Sequence, residues 1–121
     1  MPKILIVEDN RLTRMTLGQF LRGKGYTVEL AEDGAQAISL LNENAFDLVI
    51  SDIVMPKVNG WDLMAHVGTN LPDTPVLLMT AYTQVQPSQA QSYGTPELIF
   101  KPFDLGNVLC KVEQTLGLKK S

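Results

Sequence analysis

The stretch DLVISDIVMPKVNG, Asp47 to Gly60, decides the fold, because an apolar run in it ends abruptly in a carboxylate. Leu48 to Ser51 has the character of a buried strand, Asp52 follows directly, and Met-Pro and a polar turn come next. A charge at the rim of a core is costly unless a partner compensates it. Asp52 is therefore either a turn or cap residue or a residue with a chemical role.

Short apolar runs like the one before Asp52 recur along the chain. The five runs are Ile4–Val7, Thr27–Ala31, Leu48–Ser51, Val76–Met79 and Leu98–Phe100. Four of the five are continuously apolar and do not alternate with polar residues. This pattern is typical of strands covered on both faces, and it predicts a parallel sheet.

Amphipathic segments between these runs predict helices. In the last segment Asp104 can cap the start, Gly117 can end the helix, and five apolar residues share one face: Leu105, Val108, Leu109, Val112 and Leu116. Earlier helices are predicted on Leu17, Phe20 and Leu21, on Ala37, Ile38 and Leu41, and, after a cap at Asn59, on Leu63, Met64 and Val67. The polar segment 83–93 contains Pro87 and predicts a short or shifted helix. The repeated β-α order predicts one three-layer, doubly wound α/β domain over residues 1–121.

The composition is that of an ordinary globular domain, with 45% hydrophobic and 19% charged residues among 121. The net charge of -3 suggests neither a nucleic-acid nor a membrane-surface partner. No apolar run approaches the roughly 20 residues that span a bilayer. The single cysteine, Cys110, cannot form an internal disulfide, and it is predicted to pack beside the last helical stripe. We expect a cytoplasmic protein.

Polar residues follow four of the predicted strands. Glu8 and Asp9 end the first, Asp52 the third, Thr80 the fourth and Lys101 the fifth. Sites of doubly wound sheets lie outside the carboxyl ends of the strands, so these side chains should gather at one edge. Three carboxylates there would repel one another, and a hard divalent cation such as Mg²⁺ would relieve the repulsion.

The same edge suits phosphoryl transfer. Lys101 offers a point charge for a phosphoryl oxygen, and Thr80 offers a hydrogen bond. No cysteine or histidine ends a strand, so a carboxylate would be the nucleophile and would form an aspartyl phosphate. Such a transfer needs in-line positioning and neutralisation of charge, and these residue types supply both.

The four motifs together resemble a response-regulator receiver domain of two-component signalling, the family of the chemotaxis response regulator. The resemblance covers essentially the whole chain. It rests on VEDN with Glu8 and Asp9, on the D-x-x-M-P-x-x-x-G run with Asp52, Met55, Pro56 and Gly60, on Thr80-Ala81, and on Lys101-Pro102-Phe103.

The resemblance implies a flavodoxin-like, five-stranded sheet of order 2-1-3-4-5, flanked by five helices. It implies that Asp52 is the phosphoacceptor and that Mg²⁺ or Mn²⁺ is bound by Asp9 directly, by Glu8 mostly through water, by Asp52 and by the carbonyl of Val54. Lys101 would pair with the phosphoryl group, and Thr80 would move toward it on activation.

The partners implied by the resemblance are a histidine kinase or phosphotransfer protein upstream and an effector protein or domain downstream. The chain would be a signalling module and not a turnover enzyme, with self-catalysed phosphoryl acceptance and slow autodephosphorylation only. It would be a monomer or a phosphorylation-dependent dimer, with no nucleic acid and no membrane bound by this chain.

The sequence departs from the family at its switch. Leu98 stands where family members often carry an aromatic residue that swings inward with the threonine, so the switch would be carried differently. Tyr82 and Val54, two residues after Thr80 and Asp52, lie at positions that tune hydrolysis of the acyl phosphate. We expect both to shield the phosphoryl group from water, and Pro102 completes the set of switch and tuning residues.

Three other functions compete with this one. The chain could be the receiver fragment of a longer regulator or hybrid kinase. A phosphatase with an aspartate nucleophile typically has a second Asp two residues later, where this chain has Val54. A flavodoxin-like nucleotide binder needs a phosphate loop after the first strand, and VEDNRLTR is acidic. His66, the single histidine, is predicted to be a partly exposed helix residue and not a phosphate carrier.

Overall fold

Strands and helices follow one another in alternation along the chain. The computed structural model describes residues 2–52, 60–70, 74–81, 97–101 and 104–117. Its elements are β1 Lys3–Val7, α1 Arg11–Gly23, β2 Thr27–Ala31, α2 Gly34–Glu43, β3 Leu48–Asp52, α3 Gly60–Asn70, β4 Val76–Ala81, β5 Glu97–Lys101 and α4 Leu105–Gly117. The cap predicted at Asn59 and the helix predicted over 83–93 lie outside the described residues.

The strands form one parallel sheet in the order β2-β1-β3-β4-β5. Strand β1 therefore lies between β2 and β3. The strand that follows β1 in sequence is added on one side of it, and the later strands are added on the other side. The crevice above such a reversal is where doubly wound folds bind their ligands. The topology thus singles out the carboxyl ends of β1 and β3.

The sheet is covered on both faces, as its continuously apolar strands predict. Successive residues of β1 point to opposite faces, because side chains alternate along a strand. One core cluster packs α1 and α4 against the sheet and contains Ile4, Ile6, Leu17, Leu21, Val108 and Val112. The other packs α2 and α3 against the opposite face and contains Leu5, Val7, Ala37, Leu41, Leu63 and Val67. The predicted parallel, doubly wound α/β fold is confirmed.

Local hydrogen bonds fix the ends of the helices. The side chain of Asp104 accepts a hydrogen bond from the amide of Asn107 at 2.7 Å, which confirms the predicted cap of α4. At the end of α1, Gly25 has a φ of 98° and the amide of Tyr26 donates to the carbonyl of Leu21 at 3.2 Å. This is the glycine-ended arrangement in which a left-handed residue satisfies the last carbonyls of a helix.

Two smaller predictions have opposite outcomes. His66 is half-buried on α3, with its Nδ1 atom 3.3 Å from the side-chain amide of Asn70, as expected for a partly exposed helix residue. Cys110 is exposed, so the prediction that it packs against the core is wrong.

Within the described ranges, no helix is long and apolar enough to cross a membrane.

Candidate functional site

Three carboxylates meet at the carboxyl edge of the sheet. One carboxylate oxygen from each of Glu8, Asp9 and Asp52 lies within 4.8 Å of the others. Glu8 is fully buried and Asp52 is 6% exposed, whereas Asp9 is exposed to solvent. The cluster is therefore a partly sheltered acidic site with one side open to water.

The sheet register explains why these residues meet. Strands β1 and β3 are parallel neighbours, with Val7 paired to Ser51. The next residues along the two strands are Glu8 and Asp52, so adjacent strands deliver both carboxylates to the same edge. The hydroxyl of Ser51 donates to the carbonyl of Asp52 at 2.9 Å, which fixes the end of β3. Asp52 is the last residue of β3, as predicted for the residue that ends the third strand.

The turn between β1 and α1 is held by hydrogen bonds of the amide, the carbonyl and the carboxylate of Glu8. Its amide donates to the carbonyl of Ala31 at 3.1 Å, and its Oε2 accepts from the amide of Asn10 at 3.0 Å. Asn10 in turn caps α1 by accepting from the amide of Thr13 at 3.0 Å. The carbonyl of Glu8 accepts from Nη1 of Arg14 at 2.8 Å. One oxygen of the Glu8 carboxylate is thus engaged with the turn.

Sequence reasoning missed Arg14. Its guanidinium also lies 3.6 Å from the Glu32 carboxylate, so this side chain joins the β1–α1 turn to the region after β2. A signal was available in the sequence, because Arg14 stands four residues after the cap Asn10 and therefore one helical turn into α1. That spacing alone does not say which carbonyl the guanidinium reaches.

The donor set fits a hard divalent cation. Mg²⁺ takes oxygen ligands and is usually held by one or two carboxylates, with water or phosphate oxygens completing its shell. Three carboxylate oxygens within 4.8 Å, one of them on the exposed Asp9, offer such ligands together with access from solvent. The predicted metal ligands Glu8, Asp9 and Asp52 are therefore brought together, in an arrangement compatible with divalent metal binding.

The other predicted site residues are placed only by their backbones or lie outside the described residues. Asp52 pairs with Met79 on β4, so Thr80 is the next residue along the neighbouring strand. Lys101 pairs with Ala81 at the ends of β5 and β4. Leu98 lies within β5, and Val54, Tyr82 and Pro102 are outside the described parts of the chain.

Comparison with known proteins now identifies the family. The family model for the response regulator receiver domain matches residues 4–113. The chain belongs to this family. A receiver domain is the signalling module of response regulators in two-component systems, which is the function that the four sequence motifs predicted.

Individual relatives agree with this assignment. The response regulator MprA of Mycobacterium sp. (strain KMS) is 34% identical over 115 residues, which cover 94% of this chain and 50% of that protein. The solved chemotaxis response regulator CheY4 of Vibrio cholerae is 29% identical, with a TM-score of 0.89, over 96% of this chain and 99% of that one. Response regulator TrrA from Thermotoga maritima, solved in complex with Mg²⁺-BeF, is 29% identical, with a TM-score of 0.86, over 96% and 100% of the two chains. This receiver domain thus spans about half the length of MprA.

Proposed function

We propose that this receiver domain accepts a phosphoryl group on Asp52, with Mg²⁺ or Mn²⁺ bound beside it, from a histidine kinase or a phosphotransfer protein. The observation that carries the proposal is the meeting of Glu8, Asp9 and Asp52 within 4.8 Å at the point where the strand order reverses. TrrA of Thermotoga maritima, which this chain resembles, was solved with Mg²⁺-BeF, and this supports the same kind of ligand here.

Asp52 is the group that reacts. A carboxylate oxygen of Asp52 forms a bond to phosphorus while the bond from phosphorus to the donor's imidazole nitrogen, or to the oxygen of a small phosphodonor, breaks and its electron pair leaves with the donor. The low exposure of Asp52, 6%, limits the approach of water to the acyl phosphate that results. A bound Mg²⁺ or Mn²⁺ supplies charge neutralisation for the carboxylates and the phosphoryl oxygens.

Each remaining residue has an assigned part in this proposal. Asp9 and Asp52 hold the metal directly, Glu8 acts mostly through water, and the carbonyl of Val54 is a further ligand. Lys101 pairs with the phosphoryl group and Thr80 donates a hydrogen bond to it. The positions of their backbones, at the carboxyl ends of β5 and β4, support these two roles.

Arrival of the phosphoryl group then shifts a conformational equilibrium that an effector reads. Phosphorylation adds a charge of about -1.5 to -2, and a shift from mostly off to mostly on requires roughly 5.5 kcal/mol of differential stabilisation. Leu98, Pro102 and the polar segment 83–93 belong to the responding part. The effector is a separate protein or, if the chain is part of a longer regulator, a further domain of it.

The decisive experiment treats the protein with acetyl phosphate and Mg²⁺ and follows the phosphoprotein by intact mass. We expect modification of the wild type and none of Asp52→Asn. Asp47→Asn is the matched control, because Asp47 immediately precedes β3, at the end of the strand away from the cluster. Equal modification of wild type and Asp52→Asn would refute the proposal.

The lifetime of the acyl phosphate tests the two tuning residues. Neither Tyr82 nor Val54 carries a carboxylate or carboxamide that could orient an attacking water, so we propose that both lengthen this lifetime. Tyr82→Glu and Val54→Asn should each shorten the half-life of the phosphoprotein, measured by loss of the added mass after removal of the phosphodonor. Unchanged half-lives in both variants would contradict this part of the proposal.

A further inference from the structure

We propose that Arg14 is a positioning residue of the acidic site and that its hydrogen bond to the backbone of Glu8 sets the affinity of the site for Mg²⁺. This inference rests on the proposed function for the existence of the metal site. It concerns how the chain holds two of the three carboxylates in place, which the strand register alone does not determine.

The contact of Arg14 with Glu8 is short and sheltered. Nη1 of Arg14 donates to the Glu8 carbonyl at 2.8 Å, whereas Nη2 lies 3.6 Å from the Glu32 carboxylate. The side chain of Arg14 is only 11% exposed, and that of Glu32 is 69% exposed. Exposed ion pairs contribute little, so the bond to the carbonyl is the stronger of the two contacts.

The carbonyl that Arg14 holds belongs to the peptide group between Glu8 and Asp9. Strand β1 ends at Val7, so this carbonyl lies beyond the strand. Because the peptide is planar, fixing its oxygen also fixes its amide and the direction in which the chain enters Asp9. Rotation of this peptide would therefore redirect the exposed carboxylate of Asp9 away from the buried carboxylates of Glu8 and Asp52.

Charge and geometry predict opposite effects of removing Arg14. A guanidinium near a cation site repels the cation, so its loss would tighten metal binding if charge dominated. The nearby Glu32 carboxylate offsets part of that charge. Mg²⁺ demands nearly ideal octahedral geometry, so a misdirected Asp9 would weaken binding if geometry dominated. The sign of the change in affinity therefore tells the two effects apart.

The same helix provides a matched control. Nη2 of Arg22 donates to the carbonyl of Val28 at 2.8 Å, which is again a guanidinium–carbonyl bond between residues six apart. Arg22 lies in the last turn of α1, whereas Arg14 lies near its start. Arg22→Met thus removes the same kind of bond far along the helix from the acidic site.

The experiment measures Kd for Mg²⁺ by calorimetry, and for Mn²⁺ by the signal of free Mn²⁺ in electron paramagnetic resonance, in the 121-residue protein whose folding is checked in EDTA. We expect Arg14→Met and Arg14→Gln to raise Kd about tenfold, the lower end of what loss of an outer-shell partner costs. Arg14→Lys, which keeps a donor on a long stem, should recover part of the affinity. Arg22→Met and Glu32→Gln should stay within about twofold, because exposed charges are screened.

The outcomes separate this inference from the proposed function. A purely structural Arg14 would lower the stability of the metal-free protein and leave Kd of the folded protein unchanged, which would overturn the inference alone. Tighter binding by Arg14→Gln and Arg14→Met would also overturn it, in favour of a charge effect. If wild type binds neither Mg²⁺ nor Mn²⁺, both the proposed function and the inference fail. Should Arg14→Met not fold, Arg14→Gln decides.

Discussion

Replacing Asp52 by asparagine should stabilise the metal-free protein against unfolding. The carboxylates of Glu8, Asp9 and Asp52 have oxygens within 4.8 Å of one another, so the substitution removes two repulsive pairs. Asparagine has nearly the same size and keeps one oxygen as a hydrogen-bond acceptor, so packing changes little. The charge that the proposed function requires at this site is thus expected to act against the stability of the fold.

The magnitude follows from Coulomb's law. At 4.8 Å, two unit charges repel by about 0.9 kcal/mol in water and by about 3.5 kcal/mol at an effective dielectric constant of roughly 20. Asp9 is exposed, so its pair with Asp52 belongs near the lower value. Glu8 and Asp52 are buried, so their pair lies nearer the higher one. Allowing for other interactions of Asp52, we expect the free energy of unfolding to rise by about 1–3 kcal/mol. For a domain of this size, each kcal/mol raises Tm by about 4 °C.

Urea unfolding in EDTA, at low and high KCl, measures this gain. The gain should shrink at high salt, because salt screens charge repulsion. Asp47→Asn is the control, because the Asp47 carboxylate accepts a hydrogen bond from the amide of Lys3 at 2.7 Å. Neutralising it should lower the free energy of unfolding by about 1 kcal/mol. A metal-free Asp52→Asn protein no more stable than wild type would refute the reasoning.

Three further predictions concern the stability of the fold. The pKa of Tyr26 is raised mainly by burial and secondly by the carboxylate of Glu113. The stability that this residue contributes is therefore present below about pH 10 and lost as the pH rises through its folded-state pKa. In urea unfolding at alkaline pH, Tyr26→Phe should therefore flatten the fall in stability, Glu113→Gln should flatten it in part, and unchanged slopes would contradict both. Asn10→Ala should lower the free energy of unfolding by about 1 kcal/mol, because it removes the cap of α1. Asn10→Ser should keep most of the capping and therefore lose less. Equal losses of stability for the two variants in thermal unfolding would argue against capping. Gly23→Ala should raise the free energy of unfolding by roughly 0.4–1 kcal/mol, because the new methyl group meets nothing within 4 Å. Gly25→Ala should lower it by about 1 kcal/mol or more, because Gly25 has a φ of 98°. A change of the same sign in both variants would disprove the backbone argument.

The meeting of the acidic residues could be predicted from the sequence because it depends on topology alone. Continuously apolar runs indicate a parallel sheet, and parallel strands present their carboxyl ends at one edge. Once Glu8, Asp9 and Asp52 were recognised as strand-end residues, their proximity required no knowledge of side-chain packing. The cap at Asp104 was predictable for a similar reason, since its partner lies three residues along the chain.

Two features were not predicted correctly from the sequence, the burial of Glu8 and the exposure of Cys110. Glu8 is fully buried, which is rare for glutamate unless its carboxylate finds partners, and these lie in the turn after it. Cys110 was an avoidable error, because two residues of helix rotate it about 200° from the buried Val108 and so onto the opposite face.

The proposed metal site would link cation binding to folding through two separable effects, charge repulsion and backbone geometry, and two variants distinguish them. A cation that binds only the folded protein stabilises it by about 2.7 kcal/mol at a concentration of 100 Kd. Asp52→Asn removes a proposed metal ligand together with its charge repulsion, so the variant should start more stable than wild type in EDTA and gain less from Mg²⁺. Arg14→Met keeps all three carboxylates and loses the bond that positions them, so it should start less stable in EDTA and also gain less from Mg²⁺. The two variants thus share a weakened response to the metal but have opposite signs in its absence. Charge repulsion and backbone geometry can therefore be measured separately at one cluster of residues.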